Sequence, residues 1–148
     1  MIKNILAVLA AGFLLSACAS PKMYRGPRLD RQYTASLRTM QAGDAVQLAK
    51  ARGYAYDPGV KVRILRIDGK KAGSSKYIEV MPGYHDVDLC FSRSGHVTNY
   101  PVSWVAEAGK EYLAAGVQKT GQKAVFWIEE IPSRKVIAGA RPRSFDPK

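Results

Sequence analysis

The chain predicts a mainly β fold: one antiparallel β-sandwich of about seven or eight strands with little helix. Two observations carry this. Apolar and polar residues alternate with a period of two over most of the second half of the chain. The alternating runs are short and separated by Gly, Pro, Ser and Asn, the residues that reverse a chain.

The elements follow in order. "YTASLRT" is the expected first strand. "AGDAVQLAKARGYA" is ambiguous between helix and strand, with Asp44 placed to cap a short helix and Gly53 to end it. In "VKVRILRI", Val60, Val62 and Ile64 share one face while Lys61 and Arg63 take the other. The phase then slips onto Leu65 and Ile67, which marks a β-bulge. "HDVDLCF" places His85, Val87, Leu89 and Phe91 on one face, with Asp86, Asp88 and Cys90 on the other. "YPVSWVA", "KEYLAAGVQ", "AVFWIEE" and "KVIAGA" continue the pattern, with Val102, Trp104 and Ala106 facing together.

Between two of these strands lies "IDGKKAGSSK", whose glycines and lysines invite a phosphate-loop reading. A phosphate loop needs G-x-x-x-x-G-K-[ST] opening into a helix, because backbone N–H groups and the helix N-terminus form the cradle. Here the spacing differs and "YIEVMPG" alternates like a strand. The stretch reads as a turn in which Asp68-Gly69 begins the reversal and Lys76 enters the next strand.

The amino terminus, "MIKNILAVLAAGFLLSAC", has Lys3 as its only charge and an apolar run from Ile5 to Leu15. That run is shorter than the roughly 20 residues that span a bilayer, and it ends in small residues, as a signal peptide does. "LSAC", Leu15 to Cys18, resembles the lipobox of bacterial lipoproteins. The resemblance implies cleavage between Ala17 and Cys18, with lipid on the Cys18 thiol. Residue 19 is alanine, not aspartate, which on the same resemblance implies the outer membrane, with the domain facing the periplasm. The expected organisation is a signal peptide over residues 1–17, a lipidated cysteine and basic tether over 18–31, and a sandwich over 32–148.

The whole chain carries 23 basic and 12 acidic residues, and only Lys3 of these lies in the signal segment. In an exported protein such an excess points to anionic lipid or to the carboxylates of peptidoglycan rather than to nucleic acid. Lys22, Arg25, Arg28 and Arg31 recur at every third position of the tether, and Lys70, Lys71 and Lys76 cluster at the turn. Lys22, Arg25, Arg28, Lys70, Lys71 and Lys76 are the candidate contacts to an anionic surface.

On its longer pattern, "GVKVRILRIDGKKAGSSKYIEVMPGYHDVDLCF" resembles PEGA-type and related transthyretin-like sandwich domains of bacterial envelope proteins. The resemblance is carried by Ile67-Asp68-Gly69, Pro82-Gly83-Tyr84-His85 and Val87-Asp88-Leu89, with "VMPG" in place of the strict tetrapeptide. It implies a binding or spacer module, with an envelope protein or peptidoglycan as partner, and carries over no catalytic residue.

Little else suggests chemistry. His85 and His96 are the two histidines, the first at an inward strand position and the second in the expected loop "SRSGHVTN". With Cys18 taken by lipid, Cys90 has no disulfide partner and reads as a small strand residue before a redox thiol. No metal or cofactor set emerges from the spacings. The enzyme alternative is a hydrolase using Asp86 or Asp88, which stand two apart on one strand face. Glu129 and Glu130, being adjacent, point to opposite faces, and Trp104, Trp127, Phe126 and Tyr112 read as packing residues.

Overall fold

In a computed structural model, residues 22–40, 61–73, 76–93, 96–117, 123–141 and 143 are described. The expected signal segment, Cys18 and the ambiguous stretch around Asp44 and Gly53 lie outside them. The described residues form nine strands: β1 Ala35–Thr39, β2 Lys61–Ile67, β3 Lys70–Lys71, β4 Tyr77–Val80, β5 Gly83–Arg93, β6 His96–Ala106, β7 Glu111–Val117, β8 Val125–Ile131 and β9 Val136–Gly139. Eight match the strands expected from alternation. The ninth, β3, is too short to leave a periodic signal.

Two sheets make the sandwich, one ordered β4-β1-β7-β8-β9 and the other β3-β2-β5-β6. The core between them is continuous. Leu37, Ile78, Tyr112, Phe126 and Ile128 from the first sheet meet Ile64, Ile67, Val87, Leu89 and Trp104 from the second. Burial along β2 alternates as the sequence requires, and its register against β5 slips between Ile64 and Arg66, which places the expected bulge. Of the two residues expected to continue the inward phase, only Ile67 does: the bulge takes up Leu65 as the extra residue and leaves it exposed.

Three features depart from expectation. The sandwich is not wholly antiparallel: β1 pairs antiparallel with β4 but parallel with β7, Leu37 lying opposite Tyr112. A parallel pair needs a crossover between sheets instead of a hairpin, and periodicity within one strand contains no information about that. His96 is not in a loop but opens β6 opposite Arg93. The third concerns "IDGKKAGSSK". Asp68 and Gly69 both have positive φ, 51° and 75°, and form a two-residue hairpin joining β2 to β3. After Lys71 the chain leaves that sheet, and β4 pairs in the other one.

From Lys22 onward the stretch read as a tether is held against β4. The Met23 N–H donates to the Glu79 carbonyl at 2.8 Å, Lys22 bridges alongside Glu79, and Met23 packs on the core. Arg28 is ion-paired with Glu79, whose side chain is buried. Arg31 lies over the Tyr77 ring at 5.9 Å and begins a single 3-10 turn, Arg31–Tyr33, that leads into β1.

The end of β9 sets a steric limit. Gly139 has φ +74°, and a Cβ there would meet the Phe126 carbonyl and stand 2.9 Å from Trp127 Cα. Gly73 has the same φ with open space around it. Gly139→Ala is expected to destabilise by more than about 2 kcal/mol and Gly73→Ala by about 1 kcal/mol, read from urea unfolding midpoints. Equal effects at the two sites would show that the β8–β9 approach is looser than described.

Candidate functional site

The two motif residues Asp68 and His85 meet in space. His85, opposite Trp104 in the β5–β6 register, turns its ring toward the β2–β3 turn. Its Nε2 is 2.7 Å from the Met81 carbonyl oxygen and its Nδ1 is 2.7 Å from Asp68 Oδ2. A carbonyl only accepts, so Nε2 donates to Met81. A carboxylate also accepts, so a proton on Nδ1 would donate to Asp68, and the contact is charge-assisted by the carboxylate. Asp68 Oδ1 takes the Asp86 N–H at 3.0 Å, and the Asp68 N–H returns to the Asp86 carbonyl at 2.8 Å. The His85 ring lies 5.1 Å from the Trp104 ring, which in turn meets Tyr112 edge-on at 5.9 Å.

A histidine–aspartate pair is two-thirds of a nucleophilic triad, but in such a triad the second ring nitrogen faces a hydroxyl or thiol. Here it faces a backbone carbonyl. The arrangement therefore suits a clamp between the β2–β3 turn and the chain crossing from β4 to β5, not proton transfer. Partial burial raises the Asp68 carboxyl pKa, but the His85 hydrogen bond, the Asp86 N–H and the charges of His85 and Lys70 outweigh it. The net result is a pKa below the ordinary 3.8.

Asp86 and Asp88 do share the outer face of β5, as parity requires. Asp86 accepts a 2.6 Å hydrogen bond from Ser103, and Asp88 lies opposite Arg66 on one side and Pro101 on the other. Among the described residues no three His, Cys, Asp or Glu side chains gather to hold a metal. Cys90 is buried, and the four aromatic residues read as packing are all buried too.

The sequence-level cations separate into two sets. Lys22 reaches the Gly26 carbonyl and lies over the Tyr24 ring at 4.9 Å, and Arg28 is engaged with Glu79, so the every-third-residue spacing does not form a stripe. Arg25 is exposed, as is Lys76, which precedes β4. Lys70 and Lys71 form β3, at the edge of the four-stranded sheet. Lys71 lies directly opposite Arg66, and Lys61 and Arg63 continue the same outer face along β2.

These four, Lys61, Arg63, Arg66 and Lys71, form a cationic column about 17 Å long at strand spacing. All four are exposed, and none is ion-paired among the described residues. Like charges opposite one another on a sheet destabilise it, a cost that Asp88 on the other side of Arg66 offsets only in part, so the Arg66–Lys71 pair suits an anionic partner. The outward parity of Lys61 and Arg63 was visible in the sequence. Their union with Lys71 was not, because it depends on the tight turn.

A second buried ionic group lies on the outer face of the five-stranded sheet. Glu129 is fully buried, accepting from Trp127 Nε1 and from Arg141 Nη1, each at 2.8 Å, and is ion-paired with Arg134. Leu113, Ala115 and Trp127 pack beside it as a separate apolar cluster.

No known protein family, curated protein or solved structure was matched by this chain. The site is therefore read from its own chemistry, and the clamp supplies a direct test. With a depressed folded pKa, Asp68 contributes stability above the unfolded value near 3.8 and loses it as pH falls through the folded value. Asp68→Asn retains a residue that tolerates positive φ but removes the charge. Above pH 5 the variant is expected to be less stable by about 1 kcal/mol, a figure kept small by solvent screening of the half-exposed carboxylate. In chemical denaturation the gap between variant and parent should close as pH falls below about 3.8. A gap independent of pH would remove the ionic role of Asp68.

Proposed function

We propose that this protein is a lipid-anchored, non-enzymatic binding or structural module at the periplasmic face of a bacterial outer membrane. Anchoring rests on the lipobox resemblance at Leu15-Ser16-Ala17-Cys18. Two acyl chains or more on one cysteine hold a protein at a bilayer where one chain holds it only marginally. The binding role rests on the cationic column of Lys61, Arg63, Arg66 and Lys71, exposed on a flat, outward strand face. The same column favours direct contact with an anionic envelope polymer over a purely structural role, with the stem-peptide carboxylates of peptidoglycan as the fitting chemistry. Asp88 lies opposite Arg66, and Asp86, next on the same face, is already hydrogen-bonded to Ser103.

Two measurements test this reading. Cys18→Ser should move the protein from the outer-membrane fraction to the soluble one, and a variant still partitioning with the membrane overturns lipid anchoring. Purified mature protein should sediment with peptidoglycan at low salt. The double substitution Lys61→Glu with Arg63→Glu should weaken that binding about tenfold, as about 1–2 kcal/mol of lost electrostatic attraction implies. Sedimentation that ignores both salt and the substitutions would rule out the column as the contact.

A further inference from the structure

We infer that the end of the sandwich where β4 crosses into β5 rests in the headgroup layer of the membrane that carries the anchor. The inference rests on the lipid anchoring proposed above and adds an orientation to it.

The first observation is reach. A free tether over residues 19–31 would let the domain stand as much as about 45 Å from its anchor. The chain is instead fixed at Lys22 and Met23 beside Glu79, so only Ala19, Ser20 and Pro21 separate the anchor from the fold. The four steps from Cys18 to Lys22 reach about 14 Å at full extension. The bilayer surface must therefore lie close to Glu79, which is two residues from the exposed Met81 at the β4–β5 crossover.

The second observation is what is exposed at that end. Eight large apolar side chains are exposed among the described residues, and five of them belong here: Leu29, Tyr33, Met81, Tyr84 and Val105. Tyr84 and Val105 are register partners at the β5–β6 end, 65 % and 56 % exposed. Tyr33, 59 % exposed, closes the turn before β1 at the same end, where the Gly109 N–H binds the Thr34 carbonyl at 2.8 Å. Tyrosine among aliphatic neighbours suits the bilayer interface, where the ring is partly dehydrated and the hydroxyl stays wet. The exposed charges nearby are of both signs, Asp30 and Glu107 with Arg25 and Arg31, so no net field favours an anionic surface there and the apolar side chains carry the contact.

The far end of β6 provides a control. Val97 is 63 % exposed, as open as Tyr84, yet lies eight residues from Val105, about 27 Å at strand spacing. The mature chain carrying Cys90→Ser is coupled through Cys18 to a maleimide phospholipid in phosphatidylethanolamine/phosphatidylglycerol vesicles. The vesicles contain lipids with a nitroxide near the head group. Tyr84→Trp and Val97→Trp serve as reporters, each read against the same buried Trp104 and Trp127 background, with circular dichroism confirming the fold.

The added emission of Tyr84→Trp should be quenched at least twofold, with no change in 0.5 M salt, while Val97→Trp is unaffected. Equal quenching of both, quenching of neither, or stronger quenching of Val97→Trp overturns the orientation. The lipid is attached chemically, so this result is independent of whether Cys18 is acylated in the cell, which the fractionation of Cys18→Ser decides separately.

Discussion

One imidazole ties the crossover between the two sheets to the β2–β3 turn. His85 lies on the four-stranded sheet, yet its Nε2 binds the Met81 carbonyl in the segment arriving from the five-stranded sheet. Its Nδ1 binds Asp68 in the turn that ends β2. The turn, the crossover and the first residues of β5 are thereby fixed by a single planar ring, backed by Trp104. Asp68 reinforces this twice, accepting the Asp86 N–H and adopting the positive φ the tight hairpin demands. The Arg66–Lys71 pairing exists only because that hairpin is two residues long. The cationic column therefore depends on the clamp, although the clamp itself has no chemistry to offer a ligand.

Much of this architecture was readable in the residues. Alternation identified eight strands, and the phase slip at Ile64–Leu65 located the bulge, because a half-buried strand writes its exposure pattern directly into sequence. Asp-Gly correctly announced a reversal. What periodicity cannot contain is pairing. The parallel β1–β7 contact, the passage of β4 into the other sheet and the meeting of Asp68 with His85 all join residues distant in sequence. The motif Ile67-Asp68-Gly69 with Pro82-Gly83-Tyr84-His85 did contain both clamp residues, so the signal lay in their co-occurrence rather than in either alone.

Glu129 shows the same limit from the opposite side. Parity put Glu129 and Glu130 on opposite faces but could not say how buried either is, and the structure buries Glu129 completely beneath Arg134 and Arg141. Removing a carboxylate from water costs several kcal/mol unless opposite charge and hydrogen bonds offset it. Trp127 and the two arginines supply both. Arg141 also donates to the Arg134 carbonyl at 2.7 Å, so the chain beyond β9 is drawn back over the sheet. Arg28, Arg134 and Arg141 thus serve internal carboxylates, and part of the chain's basic excess is structural. A net positive charge by itself would have overstated the surface available to an anionic partner.

The distribution that remains has a geometric consequence. With the β4–β5 end at the membrane, β2 points away from the bilayer toward its start, and Lys61 lies six residues beyond Ile67, about 20 Å along the strand. The screening length at physiological ionic strength is about 8 Å. Arg66 and Lys71, level with Asp88, already stand four residues from Tyr84, about 13 Å, and Arg63 and Lys61 lie farther still, so the column keeps a field unshared with the head groups. Such a field can capture a polymer lying parallel to the membrane without competition from the lipid beneath it. With the anchor proposed at Cys18, the link to Lys22 is only three residues long, and that face would also be held at a nearly constant height. A polymer at the matching height meets it at a high effective concentration, and one outside that layer does not meet it at all.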